Sequence, residues 1–388
     1  MNDVRIAGVG LTHFGSYPER TGRDLFAEAA LAARDEAGIS RDEYQEIHYG
    51  NFMGELAEGQ GHQGPVVAEA AGLECPATRY ESACASAGVA FRQAVQTIRG
   101  GGADVVLVGG MERMNNLGTA NVTRSLAIAA DELFEVRAGV TFPGAYALMA
   151  RAYFAEFGGD NEDLAHIAVK NHANAMTNEF AQFHREITVE DVLESPVVAD
   201  PLHLYDACPI TDGASAVVLV SGDYADEHGL DAPVRVTGSG QGGDKAALQD
   251  REYLAQTPAA TKAAEMAYAD AGITAAAVDV AEVHDCFTIA EVLALESLGF
   301  YEPGEGIGAA ARGETTRDGD LPVNLSGGLK AKGHPVGATG TAQVVEMTKL
   351  LRGDHANSDA IPDARIGVTH NAGGTVASAV VHVLEVMN

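Results

Sequence analysis

The chain has 388 residues, of which 46% are hydrophobic and 21% charged; this is enough apolar material for one large core or two medium ones, and it excludes a disordered acidic chain. Lysine and arginine number 25 against 55 aspartate and glutamate, a formal charge of −30, so no basic stripe exists to neutralise phosphates and nucleic acid is excluded as a partner. No run of eighteen apolar residues occurs, which excludes a membrane-spanning helix.

Residues 4–9 read as a strand directly after Met1, with no leader before it, so the cytoplasm is the expected location. Residues 25–37 follow a helical pattern closed by Gly38-Ile39-Ser40, and a strand-like run ends at 47–52. Residues 78–81 read as a strand that hands over to Cys84-Ala85-Ser86-Ala87-Gly88, the opening of a helix that stops near Arg99-Gly100. A thiol at a helix start faces unpaired N–H groups at the positive end of the dipole, which lowers its pKa and favours the nucleophilic thiolate. Taken alone, the same cysteine fits a small buried side chain.

A strand at 104–108 ends in Gly109-Gly110. The stretch from about 111 to 212 then carries His, Asn, Phe and Pro143, Pro196, Pro201 and Pro209. It reads as an inserted loop domain over a site. The polar run 221–231 with Pro233 marks a join. Beyond it, residues 259–271 form a second Ala-rich helix closed by Gly272-Ile273-Thr274, and a strand at 278–283 ends in His284-Asp285-Cys286-Phe287. Strand ends are where sites collect in α/β sheets, although a satisfied histidine and a packed cysteine fit as well. Gly333-His334-Pro335-Val336-Gly337 opens a helix ending near Arg352-Gly353. Its imidazole can take a thiol proton or hold an oxyanion, or be a structural loop histidine. A last strand near 366–369 runs into His370-Asn371-Ala372-Gly373-Gly374, where free N–H groups suit an anion unless the glycines simply make a turn.

The order helix, Gly-Ile-Ser/Thr stop, strand occurs twice, and so does the order helix, Gly stop, strand, Gly-Gly. That repetition points to a duplicated α/β unit with halves at 1–222 and 232–388. The four cysteines, Cys75, Cys84, Cys208 and Cys286, make no C-x-x-C pair, so no metal site is expected and reduced thiols are. Only six residues are lysines, and the acidic residues are scattered, a composition suited to high salt where self-repulsion is screened.

Several of these segments resemble the thiolase superfamily. Gly109-Gly110-Met111-Glu112-Arg113-Met114 is similar to its GGMExM segment, and Ser326-Gly327-Gly328-Leu329-Lys330-Ala331-Lys332-Gly333-His334-Pro335 to its SGGLxAKGHPxGATG signature. Residues 206–217, with Asp212-Gly213-Ala214, resemble the segment before the last strand of the first half. The His-Asp-Cys-Phe motif, with no cysteine after Cys286, is that of sterol-carrier-protein-type and archaeal thiolases.

The resemblance implies two βαβαβαββ halves in a five-layered α-β-α-β-α fold with a loop insertion, and β-ketothiolase (acetyl-CoA C-acetyltransferase) chemistry. It implies that Cys84 is acylated, that His334 activates it, and that His284 helps bind an oxyanion. Cys286 would move the proton of the acetyl carbon, and the N–H groups of Cys84 and Gly373 would form a second oxyanion hole. His370 and Asn371 are auxiliary candidates, because Asn371 stands where other thiolases carry a cysteine. Coenzyme A and acetyl-CoA or acyl-CoA are the implied partners. No other cofactor is implied, and Lys330 and Lys332 are candidates for the phosphates or else only pack the turn. The resemblance further implies a homodimer or dimer of dimers, with a small OB-fold, zinc-ribbon subunit as a further partner. A ketoacyl-synthase-like condensing enzyme, a hydroxymethylglutaryl-CoA synthase and a non-catalytic scaffold subunit are the alternatives.

Overall fold

In the computed structural model, which describes residues 2–387, the first half opens with strand β1 (Val4–Leu11) and helix α1 (Gly22–Ala37). Thr21 caps α1 in a reciprocal box with Asp24, and Gly38 closes it in the left-handed region at φ 66°, the stop expected from sequence. The helix lies directly on the strand because Gly8 and Gly10 carry no side chains. A Cβ there would fall 2.2 Å from the carbonyl oxygen of Ala33 and 2.0 Å from that of Ala29. Strand β2 (Glu46–Gly50), short helices α2 (Gly54–Ala57) and α3 (Gln63–Ala70), strand β3 (Ala77–Tyr80), helix α4 (Ser86–Arg99) and strand β4 (Val105–Glu112) follow.

The insertion is mainly helical: α5 (Thr119–Ala127), α6 (Phe142–Phe157), α7 (Asn161–Ala175), α8 (Val189–Glu194) and the hairpin β5 (Val197–Ala199) with β6 (Leu202–His203). Strand β7 (Gly213–Ser221) returns to the sheet. The polar join read at 221–231 contains a helix, α9 (Gly222–His228), capped by Ser221 and stopped by Gly229 at φ 62°. The second half comprises β8 (Val234–Gly243), α10 (Pro258–Ala271), β9 (Val280–Glu282), α11 (Thr288–Ser297), α12 (Thr339–Arg352), β10 (Ile366–Gly373) and β11 (Ser378–Val386).

Nine strands form one sheet in the order β3-β2-β4-β7-β1-β8-β11-β10-β9, and that order mirrors itself about β1 and β8. In each half the middle strand, β7 or β11, runs antiparallel to both neighbours, while β2 with β4 and β9 with β10 are parallel. Val323 bridges Ala281 in parallel, at the position β3 holds beside β2. The close strand–helix contact also repeats. A Cβ on Gly238, Gly240 or Gly242 of β8 would meet the carbonyl oxygens of Ala267, Ala263 and Ala259 of α10 at 2.2, 2.0 and 2.0 Å. The duplication therefore extends from helix stops to individual backbone contacts.

The halves join through a narrow seam, since β1 and β8 pair only at Arg5–Arg235 and Ile6–Val234. Helices α4 and α12 fill the space between the two half-sheets. Phe91, Val95 and Ile98 of α4 and Val344, Met347 and Leu350 of α12 share one core with Val106, Val217 and Val234. Helix α1 covers the outer face of the first half-sheet and α10 that of the second. The layers are α-β-α-β-α, as the resemblance implied. The insertion is more than a lid: Tyr146, Met149 and Tyr153 of α6 share a core with Ile289, Val292 and Leu293 of α11, so it packs onto the second half.

Candidate active site

Strand β3 ends at Tyr80, and the chain then turns sharply to enter α4. Ala83 takes a left-handed φ of 50°, a conformation that costs a non-glycine residue on the order of 1 kcal/mol or more. Ser86 holds the turn: its hydroxyl accepts the Ser82 N–H at 2.9 Å and donates to the Ala83 carbonyl at 2.6 Å. Cys84 therefore sits two residues before the first residue of α4, with Ala85 as N-cap. It faces a cavity of about 330 Å³ that also reaches Cys208, Cys286, His334, Tyr146 and Gly374. The remaining wall is largely apolar and includes Val122 and Leu126 of α5.

The expectation of a low thiol pKa is overturned. Burial pushes Cys84 up to about 12, the neighbouring Cys208 adds to the effect, and the amide of Gly374 opposes it. The dipole argument presumed a solvated helix end, whereas here the desolvation of a thiolate outweighs the two backbone donors of Gly374 and Cys84. The amide against the sulfur belongs to Gly374, one residue beyond the Gly373 indicated by sequence, which is paired with Ser378 in the β10–β11 ladder.

His334 comes from the turn before α12. Its backbone N–H donates to Thr211 Oγ1 at 3.0 Å, and Ile210 bridges it from the first half. Thr339 donates its hydroxyl to the Pro335 carbonyl at 3.0 Å, so it accepts from His334 Nδ1 at 2.7 Å. The Nδ1 atom thus carries the proton, and Nε2 presents a lone pair. Burial holds this imidazole down to about 3, so it is neutral, and Nε2 has no hydrogen-bond partner among the described residues.

His284 follows β9. Its ring stands 4.9 Å from that of His334 at 87°, and burial pushes its pKa well below the usual value. The Cys84 sulfur and one ring nitrogen of each histidine lie within 4.8 Å of one another. Cys286 is buried in the same cavity beside the Tyr146 hydroxyl, and burial raises its pKa strongly. Cys84 of the first half and His284, Cys286 and His334 of the second therefore converge. His370 and Asn371 lie inside β10 rather than beyond it. Asn371 Nδ2 donates to the Cys84 carbonyl at 3.0 Å and contacts His284 Nδ1 at 3.1 Å. His370 is one shell back, its Nδ1 at 3.5 Å from the His284 amide.

Lys330 and Lys332 are not phosphate ligands. Both are 1% exposed. Lys330 donates to the Ala207 carbonyl at 2.6 Å, and Lys332 lies 3.6 Å from Glu346. They hold a one-turn π segment, Gly328–Lys332, beneath the site. Asp285 accepts the Leu329 N–H at 2.6 Å and the Asn171 amide at 2.7 Å, tying the His-Asp-Cys-Phe strand end to that segment. Burial and then Glu291 push Asp285 up to about 7. The GGMExM carboxylate has a similar scaffolding role: Glu112 accepts from the amides of Phe52 and Met53 at 2.9 and 3.1 Å and from Asn51 at 2.8 Å.

Sequence reasoning missed Cys208 and Tyr146 as cavity residues. Cys208 has a recoverable signal, since it lies just ahead of Pro209 and the Asp212-Gly213-Ala214 segment. Its amide donates to the Cys286 carbonyl at 3.0 Å. Tyr146 lies in an Ala-rich helix with nothing to distinguish it; its hydroxyl donates to the Gly374 carbonyl at 3.0 Å.

Residues 4–223 match the family model "Thiolase, N-terminal domain", and residues 240–386 match "Thiolase C-terminal domain-like". The acetyl-CoA acetyltransferase of Methanothermobacter thermautotrophicus is 44% identical over 99% of this chain and 100% of its own length. Human sterol carrier protein 2 is 30% identical over 99% of this chain and 72% of its own. Among solved structures, the "Ltp2-ChsH2(DUF35) aldolase" superposes with a TM-score of 0.83 at 27% identity, covering 99% of this chain and 98% of that one.

Proposed function

Because this chain belongs to the thiolase family, we propose that it is a β-ketothiolase, an acetyl-CoA C-acetyltransferase that works through an acyl-enzyme on Cys84. The observation that carries this reading is the convergence of one thiol and two ring nitrogens within 4.8 Å at the end of a cavity that Cys286 also lines.

In thiolysis, His334 Nε2 takes the Cys84 proton as the sulfur attacks the 3-keto carbon of a 3-ketoacyl-CoA. The amides of Cys84 and Gly374 hold the resulting oxyanion. The bond between carbons 2 and 3 breaks. The enolate oxygen of departing acetyl-CoA is held by His284, and Cys286 protonates carbon 2. A free CoA thiol then gives its proton to the Cys286 thiolate and attacks the acyl group. The leaving Cys84 sulfur recovers its proton from His334. Every proton is accounted for, and the reverse sequence is the Claisen condensation of two acetyl-CoA molecules. The raised thiol pKa of Cys286 suits a group that must deliver a proton to carbon. The reaction balances with CoA thioesters alone, and no further cofactor is proposed.

Identity of 41–44% over nearly the whole chain to acetyl-CoA acetyltransferases favours this reading over a ketoacyl synthase, a hydroxymethylglutaryl-CoA synthase or a scaffold. The structural relative titled an aldolase suggests a second chemistry, but retro-aldol cleavage needs no thiol nucleophile. The two separate cleanly in an assay with acetoacetyl-CoA. A thiolase yields two acetyl-CoA only when free CoA is added, and cleavage independent of CoA would refute the proposal. Cys286→Ala should still acylate at Cys84 yet fail to exchange the acetyl C–H protons; normal exchange would refute its role.

The solved relative is titled as a complex with a DUF35 protein, which supports a small OB-fold, zinc-ribbon subunit as partner here. Exposed Ile128, Leu133 and Phe134 on the insertion support a covered face in a homodimer or dimer of dimers. Among the described residues no helix is long and apolar enough to cross a membrane, which fits a cytoplasmic enzyme. The charge of −30 fits an archaeal, salt-adapted one.

A further inference from the structure

The geometry points to Asn371 as a positioning residue that fixes which nitrogen of His284 carries the proton. The inference rests on the thiolase reading only for its consequence, because the placement itself is structural. The side chain of Asn371 lies inside β10 at the crossing of the two central helices, and its two ends face different surroundings. The Nδ2 end donates to the Cys84 carbonyl at 3.0 Å. A carbonyl cannot be paired with the amide oxygen, so this bond decides the orientation of the amide. The same nitrogen lies 3.1 Å from His284 Nδ1. A donor facing Nδ1 requires a lone pair there, and the single proton of the neutral ring must then sit on Nε2.

The other end agrees. A Cβ built on Gly88 of α4 or Gly340 of α12 would come within 2.7 and 2.5 Å of Asn371 Oδ1. The amide oxygen therefore occupies the gap between the first turns of two helices, where it has no hydrogen-bond partner among the described residues but the dipoles favour a negative end. The absence of side chains at these two glycines is what lets Asn371 fit. Reversing the amide would aim its NH2 at both helix N-termini and set an oxygen against a carbonyl.

The consequence falls on the other ring nitrogen, on the side of the imidazole away from Asn371. His284 Nε2 is buried and has no hydrogen-bond partner among the described residues, and with a proton on it that atom is a free hydrogen-bond donor beside Cys84 and His334. It can hold an enolate oxygen without becoming charged. The opposite tautomer is set for His334 by Thr339, whose hydroxyl proton already goes to the Pro335 carbonyl. Two neutral imidazoles with rings 4.9 Å apart are thus given opposite roles: His334 Nε2 accepts, His284 Nε2 donates.

The test is nitrogen NMR of the full-length protein labelled with 15N-histidine, with the His284 signals identified by their loss in His284→Gln. Wild type should show His284 protonated at Nε2 and bare at Nδ1; a proton on Nδ1 would overturn the inference. In Asn371→Asp, whose carboxylate can only accept, Nδ1 should become protonated; an unchanged Nδ1 would also overturn it. Asn371→Leu removes the donor without adding charge, and its kcat for thiolysis should fall on the order of 10²-fold. In that variant Thr339 still sets His334, so its Nδ1 signal should stay as in wild type. Loss of both ring assignments together would mean a general collapse of the site and count against a specific role. If wild type showed the expected tautomer yet did not thiolyse acetoacetyl-CoA, the positioning would stand and the thiolase reading would fail.

Discussion

Replacing His334 by alanine tests how a half-buried, protonated thiol becomes a nucleophile. Burial holds Cys84 at about 12, so at pH 7 only about 10⁻⁵ of it is thiolate, against about 3 × 10⁻² for an exposed cysteine of pKa near 8.5. A more basic thiolate is a better nucleophile, with a Brønsted slope of about 0.4–0.5, which recovers a factor of about 40 over 3.5 units. Without a base, Cys84 should therefore react with iodoacetamide about 10²-fold more slowly than an exposed cysteine at pH 7. Its rate should also rise tenfold per pH unit up to pH 10 and beyond. In the proposed mechanism, neutral His334 with a pKa of about 3 takes the proton during attack. Neither group changes charge between pH 5 and 9, so the rate should be nearly flat there. The assay is the time course of Cys84 alkylation read from its peptide mass across pH. A His334→Ala protein that alkylates like wild type at pH 7, or a wild-type profile with a thiol titration near neutrality, would refute the reasoning.

Gly240→Ala would place a methyl 2.0 Å from the Ala263 carbonyl, and we expect a loss of about 1–3 kcal/mol or more in urea unfolding. Gly61→Ala, which meets nothing within 4 Å, should change stability by less than about 0.5 kcal/mol in the same assay. Lys170 is paired with Glu291 at 2.9 Å with both side chains buried; Lys170→Met should cost about 3–5 kcal/mol by leaving a carboxylate uncompensated, seen as a lower urea midpoint. Leu126 lines the cavity, so Leu126→Phe should cut kcat/KM for 3-ketohexanoyl-CoA at least about tenfold more than for acetoacetyl-CoA. Equal losses on the two substrates would remove Leu126 from the acyl wall.

The duplication is legible because its punctuation is local. Gly38 and Gly272 end their helices by adopting φ 66° and 69°, a demand that only the backbone at that point imposes. The glycines of β1 and β8 are equally regular in the sequence. Their cause lies in carbonyl oxygens of helices many residues away, so nothing nearby marks them as contacts. The candidate residues at strand ends and helix starts that the structure brings together, Cys84, His284, Cys286 and His334, stood out in the sequence because the chain must bend there. Tyr146 and Cys208 were not, since an inserted helix and the return segment bring them to the cavity only through tertiary packing. For the two lysines of the π segment the sequence left phosphate binding and packing of the turn both open, because it does not reveal that Ala207 and Glu346 wait for them in the interior. The thiol pKa was misjudged for a related reason: a helix start is visible in sequence, while the desolvation that opposes it is a property of the folded site.

The most direct measurement is the mass of the Cys84 peptide after brief exposure of the protein to acetyl-CoA and an acid quench. One acetyl group should appear on Cys84, and it should leave as acetyl-CoA when free CoA is added before the quench. A peptide that stays unmodified while the enzyme turns over, or an acetyl group found on Cys208 or Cys286 instead, would contradict the assignment of Cys84 as the covalent carrier.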